Sequence, residues 1–337
     1  MPLTHRGRRA KGTALALVLV LLAGCRPEPS GQGPSAGRQR LTVLTTFVPI
    51  TLFTRAVAGT CAEVRALIPP QIGPHDFQAR PSDLAALRRA RVLVKNGLGI
   101  EAFLDRLLAT ADRTQLRVID SSAGIETIAS GQRESEAQHD HAHDHDPAEK
   151  GSHDGHAHGP INPHIWLDPL RAAQQVETIR DGLVAADPGC AETYRRNAAQ
   201  AVAALTRLNG EIARDLKPYR GKTFVAFHDF APYFAQRYGL RAEFLVDVPQ
   251  VNPSPADMQR VAGIVRRSQL QALLSEPQGN EGSFNALARD LGIRVSEFDG
   301  LETSSADLAE AASAGDPAGY VTVMRTNVKR LRQAFGG

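Results

Sequence analysis

The sequence predicts an α/β protein made of two parallel-sheet lobes joined by a long rigid helix. Short apolar runs typical of strands alternate with helical runs along most of the chain, a pattern typical of parallel sheets covered by helices. Roughly 300 residues follow Leu41, enough for two lobes that each bury a core. Residues 190–216 carry apolar side chains at three- and four-residue spacing, which predicts a helix about 40 Å long that can connect the lobes.

The first half is expected to alternate strand and helix. Apolar and β-branched residues predict strands at 41–48, 63–68, 92–95 and 116–119, and helices between them at 50–58, 81–89 and 101–109. Gly59 is expected to end the first helix, and Pro69 to break the second strand. Ser82 is expected to cap the second helix.

The second half repeats this alternation. After a helix at 170–185 and the connecting helix, strands are predicted at 223–227, 242–246, 272–275 and 293–298, and helices at 233–238, 255–268, 283–291 and 320–335. These elements place an N-terminal lobe at residues 41–186 and a C-terminal lobe at 221–337. The connecting helix and its flanks take residues 187–220.

The first 24 residues have the features of an export signal. A basic start at residues 6–11 precedes an apolar stretch at 13–22 that is too short to be a comfortable membrane span. The signal ends in Leu-Ala-Gly-Cys25, which resembles a bacterial lipobox with a lipidated cysteine; the alternative is an ordinary cleaved signal with an incidental cysteine. Residues 25–40 are then a flexible tether. We expect an extracytoplasmic lipoprotein, anchored to a bacterial membrane.

The composition after the signal limits the partners and the redox state. The chain carries +3 at pH 7, and loss of the four positive charges in residues 1–24 leaves about −1, so nucleic-acid binding is not expected. Two cysteines remain beyond Cys25, namely Cys61 and Cys190. In an oxidising compartment they form either a disulfide or two separate buried thiols, and the sequence leaves both possibilities open.

A run dense in histidine and acidic residues falls between the predicted elements. It contains His139, His141, His143, His145, His153, His156 and His158. With so few apolar residues, the segment 133–160 is expected to be a mobile loop. Its imidazoles form a weak auxiliary surface for ions such as zinc, or else the loop is a solvated tether with incidental metal affinity.

Four other residues are candidate ligands for one metal ion. His75, His228 and Asp299 each follow a predicted strand, and His164 lies in a loop. Because ligands bind beyond the carboxyl ends of parallel strands, these side chains are expected to meet. Three imidazoles and one carboxylate suit tetrahedral Zn²⁺, whereas Mn²⁺ prefers more oxygen. The alternative for each is a turn or core role, and no short metal-binding or nucleophile motif decides between them.

Several segments carry a resemblance to a known family. They are Ile72-Gly-Pro-His-Asp-Phe-Gln-Ala-Arg-Pro-Ser-Asp83, Asn96-Gly-Leu-Gly-Ile-Glu101, Asn162-Pro-His-Ile-Trp-Leu-Asp-Pro169, Phe227-His-Asp-Phe230, Pro253-Ser-Pro-Ala256 and Ser275-Glu-Pro-Gln278. Over residues 41–335 the chain resembles the zinc and manganese solute-binding proteins of bacterial ABC importers, most closely the zinc-uptake branch. The resemblance implies a metal site in the cleft between the lobes, formed by His75, His164, His228 and Asp299.

One departure from the family bears on the fourth ligand. The family usually reads Asp-Pro-Leu-Gly there, whereas this chain reads Asp299-Gly-Leu-Glu302. Asp299 is the expected ligand, with water or Glu302 as alternatives. Asp229 or backbone carbonyls are expected to orient the histidine rings.

The resemblance implies a monomeric receptor that delivers Zn²⁺ to an ABC permease and its ATPase, and no enzymatic activity. A manganese receptor, or a zinc-dependent adhesin or buffer with the same fold, is the alternative. A zinc hydrolase is a remote alternative. It needs a general base beside a metal-bound water, and no motif supplies one; Glu276 and Glu281 are the candidates for that role.

Overall fold

In the computed structural model, the described residues are 40–110, 116–131, 159–277, 282–304, 308, 311 and 314–336. The export signal, Cys25, nearly all of the tether and the seven histidines of the run lie outside these ranges. The predictions made for them stay predictions. None of the helices in the described ranges combines the length and the apolar character needed to cross a membrane.

The first half forms a parallel four-stranded sheet. Its strands are β1 (Leu41–Thr45), β2 (Ala62–Ala66), β3 (Val92–Lys95) and β4 (Arg117–Asp120), in the order β2-β1-β3-β4. The helices between them are α1 (Val48–Ala58), α2 (Pro81–Arg89) and α3 (Phe103–Thr110). These elements match the predicted ones to within a few residues, and Gly59 ends α1 with a φ of +53°.

The second half has the same sheet order. Helices α4 (Pro169–Ala186) and α5 (Ala191–Leu216) precede β5 (Thr223–His228), α6 (Pro232–Tyr238), β6 (Arg241–Val246), α7 (Pro255–Ser268), β7 (Ala272–Ser275), α8 (Gly282–Asp290), β8 (Arg294–Glu297) and α9 (Ala318–Ala334). All sheet pairings are parallel, in the order β6-β5-β7-β8. The α/β prediction of two parallel sheets is therefore confirmed.

The predicted cap of α2 was wrong. Arg80, and not Ser82, precedes the first helical residue, because Pro81 has a fixed backbone angle suited to the first helical position. The carboxylate of Asp83 accepts a hydrogen bond of 2.7 Å from the Arg80 backbone N–H. The cap is therefore formed by a side chain inside the helix.

Helix α5 is the long helix that the apolar spacing predicts. It packs against α1 and α4, which precede it in the chain, and against α9 near the end of the chain. The buried side of α5 consists of Tyr194, Asn197, Ala198, Ala201, Leu205, Leu208, Ile212 and Leu216. The apolar core that includes this side continues from Val43 in β1 to Phe224 in β5 and Phe298 after β8. The lobe boundaries at 186 and 221 stay predictions.

A buried ionic cluster ties α4 to α6. Asp168, which is fully buried, caps α4 by accepting a hydrogen bond from the Leu170 backbone N–H. Its carboxylate also accepts two hydrogen bonds from Arg237, of 2.8 and 2.7 Å, and one of 2.6 Å from Arg171. One carboxylate therefore binds guanidinium groups from two helices, and removing it would leave the buried charge of Arg171 uncompensated.

Cys61 and Cys190 form a disulfide, with their Cα atoms 6.2 Å apart. Of the two possibilities that the sequence left open, the bridge is the one found. Cys61 precedes β2, and Cys190 precedes the first residue of α5. The disulfide therefore ties the edge of the first sheet to the start of the long helix.

Candidate metal centre

Three histidines and one glutamate converge at one point of the fold. His75 lies in the loop between β2 and α2, His164 in the loop before α4, His228 at the end of β5, and Glu302 in the loop after β8. One ligand atom from each lies within 4.8 Å of the others. His164 and His228 are fully buried, and the side chains of His75 and Glu302 are 10% and 6% exposed.

The carboxylate of Glu302 is the common neighbour of the three rings. Its Oε1 lies 2.8 Å from Nε2 of His164, 3.3 Å from Nε2 of His228 and 3.6 Å from Nε2 of His75. The three rings therefore present the same nitrogen to one oxygen. The ring centroids are 5.3 to 6.0 Å apart.

His164 is oriented by Asn162. The side-chain Oδ1 of Asn162 accepts hydrogen bonds from Nδ1 and from the backbone N–H of His164, at 2.9 and 3.1 Å. Its Nδ2 donates to the backbone carbonyl of Asp229, at 2.7 Å. Because an amide oxygen only accepts, Nδ1 of His164 carries the proton and Nε2 presents a lone pair towards Glu302. The buried amide of Asn162 therefore connects His164 to Asp229, the residue that follows His228.

His228 is oriented by a carboxylate. Its Nδ1 lies 2.5 Å from Oε1 of Glu276, which follows β7. Nδ1 donates to this carboxylate, so Nε2 faces Glu302. The Asp229 carboxylate, which sequence reasoning expected to orient a ring, instead accepts from the Gly131 backbone N–H at 3.1 Å. Its backbone carbonyl contributes indirectly, through Asn162.

Charge and burial give the members of the group different pKa values. Burial lowers the pKa of His164 to about 4. Burial also acts to lower the pKa of His228, but the charges of Glu276 and Glu302 outweigh it and hold that pKa well above its usual value. For Glu302, burial acts to raise the pKa, yet His75 and the other two rings hold it well below its usual value. Glu302 is therefore ionised at neutral pH.

A neutral His164 beside an ionised Glu302 leaves two electron-rich atoms in close contact. Nε2 of His164 presents a lone pair, because the ring proton is on Nδ1, and it lies 2.8 Å from Oε1. Such a contact is repulsive unless a proton or a cation is shared between the two atoms. The donor set, three imidazole nitrogens and one carboxylate oxygen, is one that Zn²⁺ prefers.

The structure places Asp299, the expected fourth ligand, outside this group. Its Oδ1 accepts a hydrogen bond of 2.7 Å from the Leu301 backbone N–H, and its backbone is paired with the side chain of Asn327. Burial, aided by nearby carboxylates, raises the pKa of Asp299 to about 6. Leu301 has a φ of +62°, so the chain reverses there and Glu302 is brought to the histidines instead. Glu302, the named alternative, replaces Asp299 in the proposed ligand set.

A cavity lies beside His75. It has a volume of about 850 Å³ and is lined by His75 together with residues such as Phe77, Phe103, Val248 and Gln250. Because these residues come from both halves of the chain, the cavity lies between the two sheets' loops. Of the four residues of the group, His75 is the one that borders this cavity.

These features define the class of protein: two parallel α/β sheets whose loops jointly form a candidate site for a metal ion. The chain belongs to the family described as zinc-uptake complex component A, periplasmic (ZnuA), whose model matches residues 43–334. The resemblance to zinc-uptake proteins is therefore confirmed.

Known proteins similar to this chain have been described as zinc-binding. The chain is 29% identical over 319 residues to the zinc-binding lipoprotein AdcA of Streptococcus pneumoniae, with 94% of this chain and 59% of AdcA covered. It is 28% identical over 263 residues to the high-affinity zinc uptake system protein ZnuA of Yersinia pestis, with 77% and 82% covered. The chain thus spans about six-tenths of the length of AdcA.

Solved structures with the same fold include zinc-bound ones. The Zn(II)-bound ZnuA-like domain of Streptococcus pneumoniae AdcA superposes with a TM-score of 0.69 at 26% identity, covering 88% of this chain and 99% of that domain. A crystal structure of ZnuA gives a TM-score of 0.70 at 26% identity, with the same coverage. The likeness extends over both sheets, since it covers nearly nine-tenths of the chain.

Proposed function

We propose that this protein is an extracytoplasmic receptor that binds Zn²⁺ through His75, His164, His228 and Glu302. The observation that carries the proposal is the convergence of three Nε2 atoms on one carboxylate oxygen. A tetrahedral zinc ion with bonds of about 2.0–2.1 Å has ligand atoms about 3.3 Å apart. The three distances from Oε1, 2.8, 3.3 and 3.6 Å, bracket that value.

The donor set favours zinc over manganese as the cargo. Three nitrogens and one oxygen complete a tetrahedron, whereas Mn²⁺ is better served by oxygen ligands. The names of AdcA and ZnuA, both described by zinc, support the same choice. His75, His164, His228 and Glu302 are thus proposed as zinc ligands, and Asp299 is not.

Delivery to a membrane permease and its ATPase is part of the proposal, and membership of a zinc-uptake family supports it. We propose three further properties together with delivery: a lipid anchor on Cys25, a monomeric state and an auxiliary role for the seven-histidine run. AdcA is described as a lipoprotein, which supports the anchor.

We also propose that the protein is not a zinc hydrolase. Four protein ligands leave no position for a reactive water, which catalytic zinc sites keep open. Glu276, one candidate for a general base, has its Oε1 on Nδ1 of His228. That placement suits a carboxylate that orients a ligand rather than one that activates water.

The test is a competition titration of Zn²⁺ and Mn²⁺ against the full-length chain in detergent. It is repeated on a variant with asparagine at all seven histidines of the run, and on that variant with His228→Ala. We expect one tight zinc ion per chain without the run, much weaker manganese, and a large loss of zinc affinity with His228→Ala. Weak zinc binding by the first variant would mean that the run is the main site, and would contradict the proposal.

The receptor role is tested in cells that lack this gene and grow on limiting zinc. The wild-type chain should restore growth, whereas His228→Ala should not. Restoration by both would show that uptake does not need His228 and would contradict the proposed site, whereas restoration by neither is the outcome expected of an adhesin or a zinc buffer.

A further inference from the structure

Glu276 is placed beside His228 by the register of the second sheet. Strands β5 and β7 are parallel neighbours, and Ala226 is paired with Leu274. His228 lies two residues after Ala226, and Glu276 lies two residues after Leu274. The same two-residue step keeps both side chains on one face of the sheet. The contact of 2.5 Å between Nδ1 and Oε1 therefore follows from the sheet pairing.

The two fully buried histidines have different partners behind them. His164 donates Nδ1–H to the neutral amide of Asn162, at 2.9 Å, whereas His228 donates to the carboxylate of Glu276. A carboxylate behind the ring fixes its orientation and also raises the basicity of the nitrogen that faces the metal. An amide fixes the orientation with a much smaller effect on charge.

The charge of the buried group also depends on Glu276. Zn²⁺ with three neutral imidazoles and the Glu302 carboxylate leaves one uncompensated positive charge. Burying a net charge is costly, and a second carboxylate in hydrogen-bond contact with a ligand offsets that cost. The side chain of Glu276 is 15% exposed, so its charge is only partly screened by water.

We propose that Glu276 is a positioning residue that holds His228 in its metal-binding orientation and supplies the second negative charge, so that it strengthens the binding of a divalent ion. The inference rests on the proposed zinc function and deepens it. The role of Glu276 differs from that of Asn162, because Asn162 orients the ring of His164 but carries no charge.

The experiment compares zinc affinity, by competition with a chelator, in the full-length chain carrying asparagine at the seven histidines of the run. Glu276→Gln keeps an oxygen acceptor but loses the charge, and Glu276→Ala loses both. We expect about 10-fold weaker zinc binding for the first and about 100-fold for the second, the range typical of partners behind metal-binding histidines. Glu276→Asp, which keeps the charge, should bind zinc more tightly than Glu276→Ala.

Glu297→Gln is the matched control, because it makes the same change at the end of the neighbouring strand, where Glu297 pairs with Arg330. It should leave zinc affinity within twofold of the parent. Thermal unfolding of the metal-free variants separates positioning from folding. A loss of affinity that occurs only where the cooperative unfolding transition is also lost would assign Glu276 a structural role and overturn the inference.

The inference is also overturned if Glu276→Gln and Glu276→Ala both bind zinc as the parent does while His228→Ala does not. In that outcome the proposed zinc site still stands. If His228→Ala too leaves zinc affinity unchanged, the proposed function itself fails, so the two failures are distinguishable.

Discussion

Zinc binding should release a proton from His228 at neutral pH. The charges of Glu276 and Glu302 outweigh burial and hold the pKa of His228 well above 6.5 in the metal-free protein. At pH 7 this ring is therefore mostly protonated, yet it binds zinc only as a neutral imidazole. Binding must displace that proton. The expected contribution of His228 is close to one proton per zinc ion.

The proton on His228 determines how zinc affinity depends on pH. Acidification adds protons to His228 in the metal-free state and these compete with zinc, so affinity falls as pH falls. Displacing one proton lowers the binding constant about tenfold per pH unit, or about 1.4 kcal/mol. His164, whose pKa is about 4, adds nothing above roughly pH 5, because it is already neutral there. Glu302 stays ionised over the same range.

Isothermal titration calorimetry measures the proton directly. The chain with asparagine at the seven run histidines is titrated with zinc at pH 7 in buffers that differ in ionisation enthalpy. The slope of the apparent enthalpy against that ionisation enthalpy gives the number of protons released. Glu276→Gln removes one of the charges that raise the pKa of His228, so its slope should be smaller. An apparent enthalpy of the parent protein, with Glu276 intact and asparagine at the seven run histidines, that is the same in every buffer would refute the reasoning.

Three further predictions concern other parts of the molecule. Glu302→Gln should lower zinc affinity by more than the 10–100-fold typical of a partner behind a ligand, whereas Asp299→Asn should change it less than about threefold; competition titration of both decides which carboxylate binds the metal. Replacing Cys61 and Cys190 by serine should cost about 2–5 kcal/mol of unfolding free energy in urea, because the bridge closes a long loop, and should leave zinc affinity unchanged. Asp168→Asn should cost about 3–5 kcal/mol in the same assay, because the buried guanidinium of Arg171 loses its counter-charge; an unchanged midpoint would contradict this.

The fold and three members of the site could be predicted because their signals are local. Strand and helix periodicities depend on a few neighbouring residues, and the predicted elements agree with the observed ones to within a few residues. His75 and His228 follow predicted strands, and parallel sheets bring such positions together. His164 has no strand before it, and it was singled out by the Asn-Pro-His segment and the family resemblance.

The fourth member depends on a backbone angle that residue types do not reveal. Leu301 adopts a left-handed conformation, φ +62°, which leucine rarely takes and which sequence reasoning therefore does not expect. The Gly300 carbonyl accepts a hydrogen bond of 2.8 Å from the indole of Trp166, which holds this turn in place. The turn exchanges Asp299 for Glu302, three residues later. The Asp-Gly turn signal is borne out, since the Asp299 side chain accepts a hydrogen bond from the backbone N–H two residues on.

The partners behind the histidines were out of reach for a similar reason. Glu276 reaches His228 through the register of two strands, and Asn162 reaches the Asp229 carbonyl across the two halves of the chain. Both contacts follow from sheet pairing and loop packing, which the residue order does not specify. A carboxylate directly after a strand, in Ser275-Glu276, is nonetheless a signal that could have been used, since neighbouring parallel strands end side by side.

The members of the proposed zinc site differ in how firmly the protein holds them, and this bears on how such a site would bind an ion tightly and still release it. His164 and His228 are fully buried, and each has a hydrogen-bonded partner behind its ring. The loop that carries His75 contacts the second half through a backbone bond from Ser304 to Pro70, 2.6 Å, and through exposed side chains. Groups held in place before binding lose little freedom when the ion arrives, which favours affinity. We therefore expect His75, on the more exposed loop, to be the ligand that water replaces first, so tight binding and release need not be supplied by the same residues.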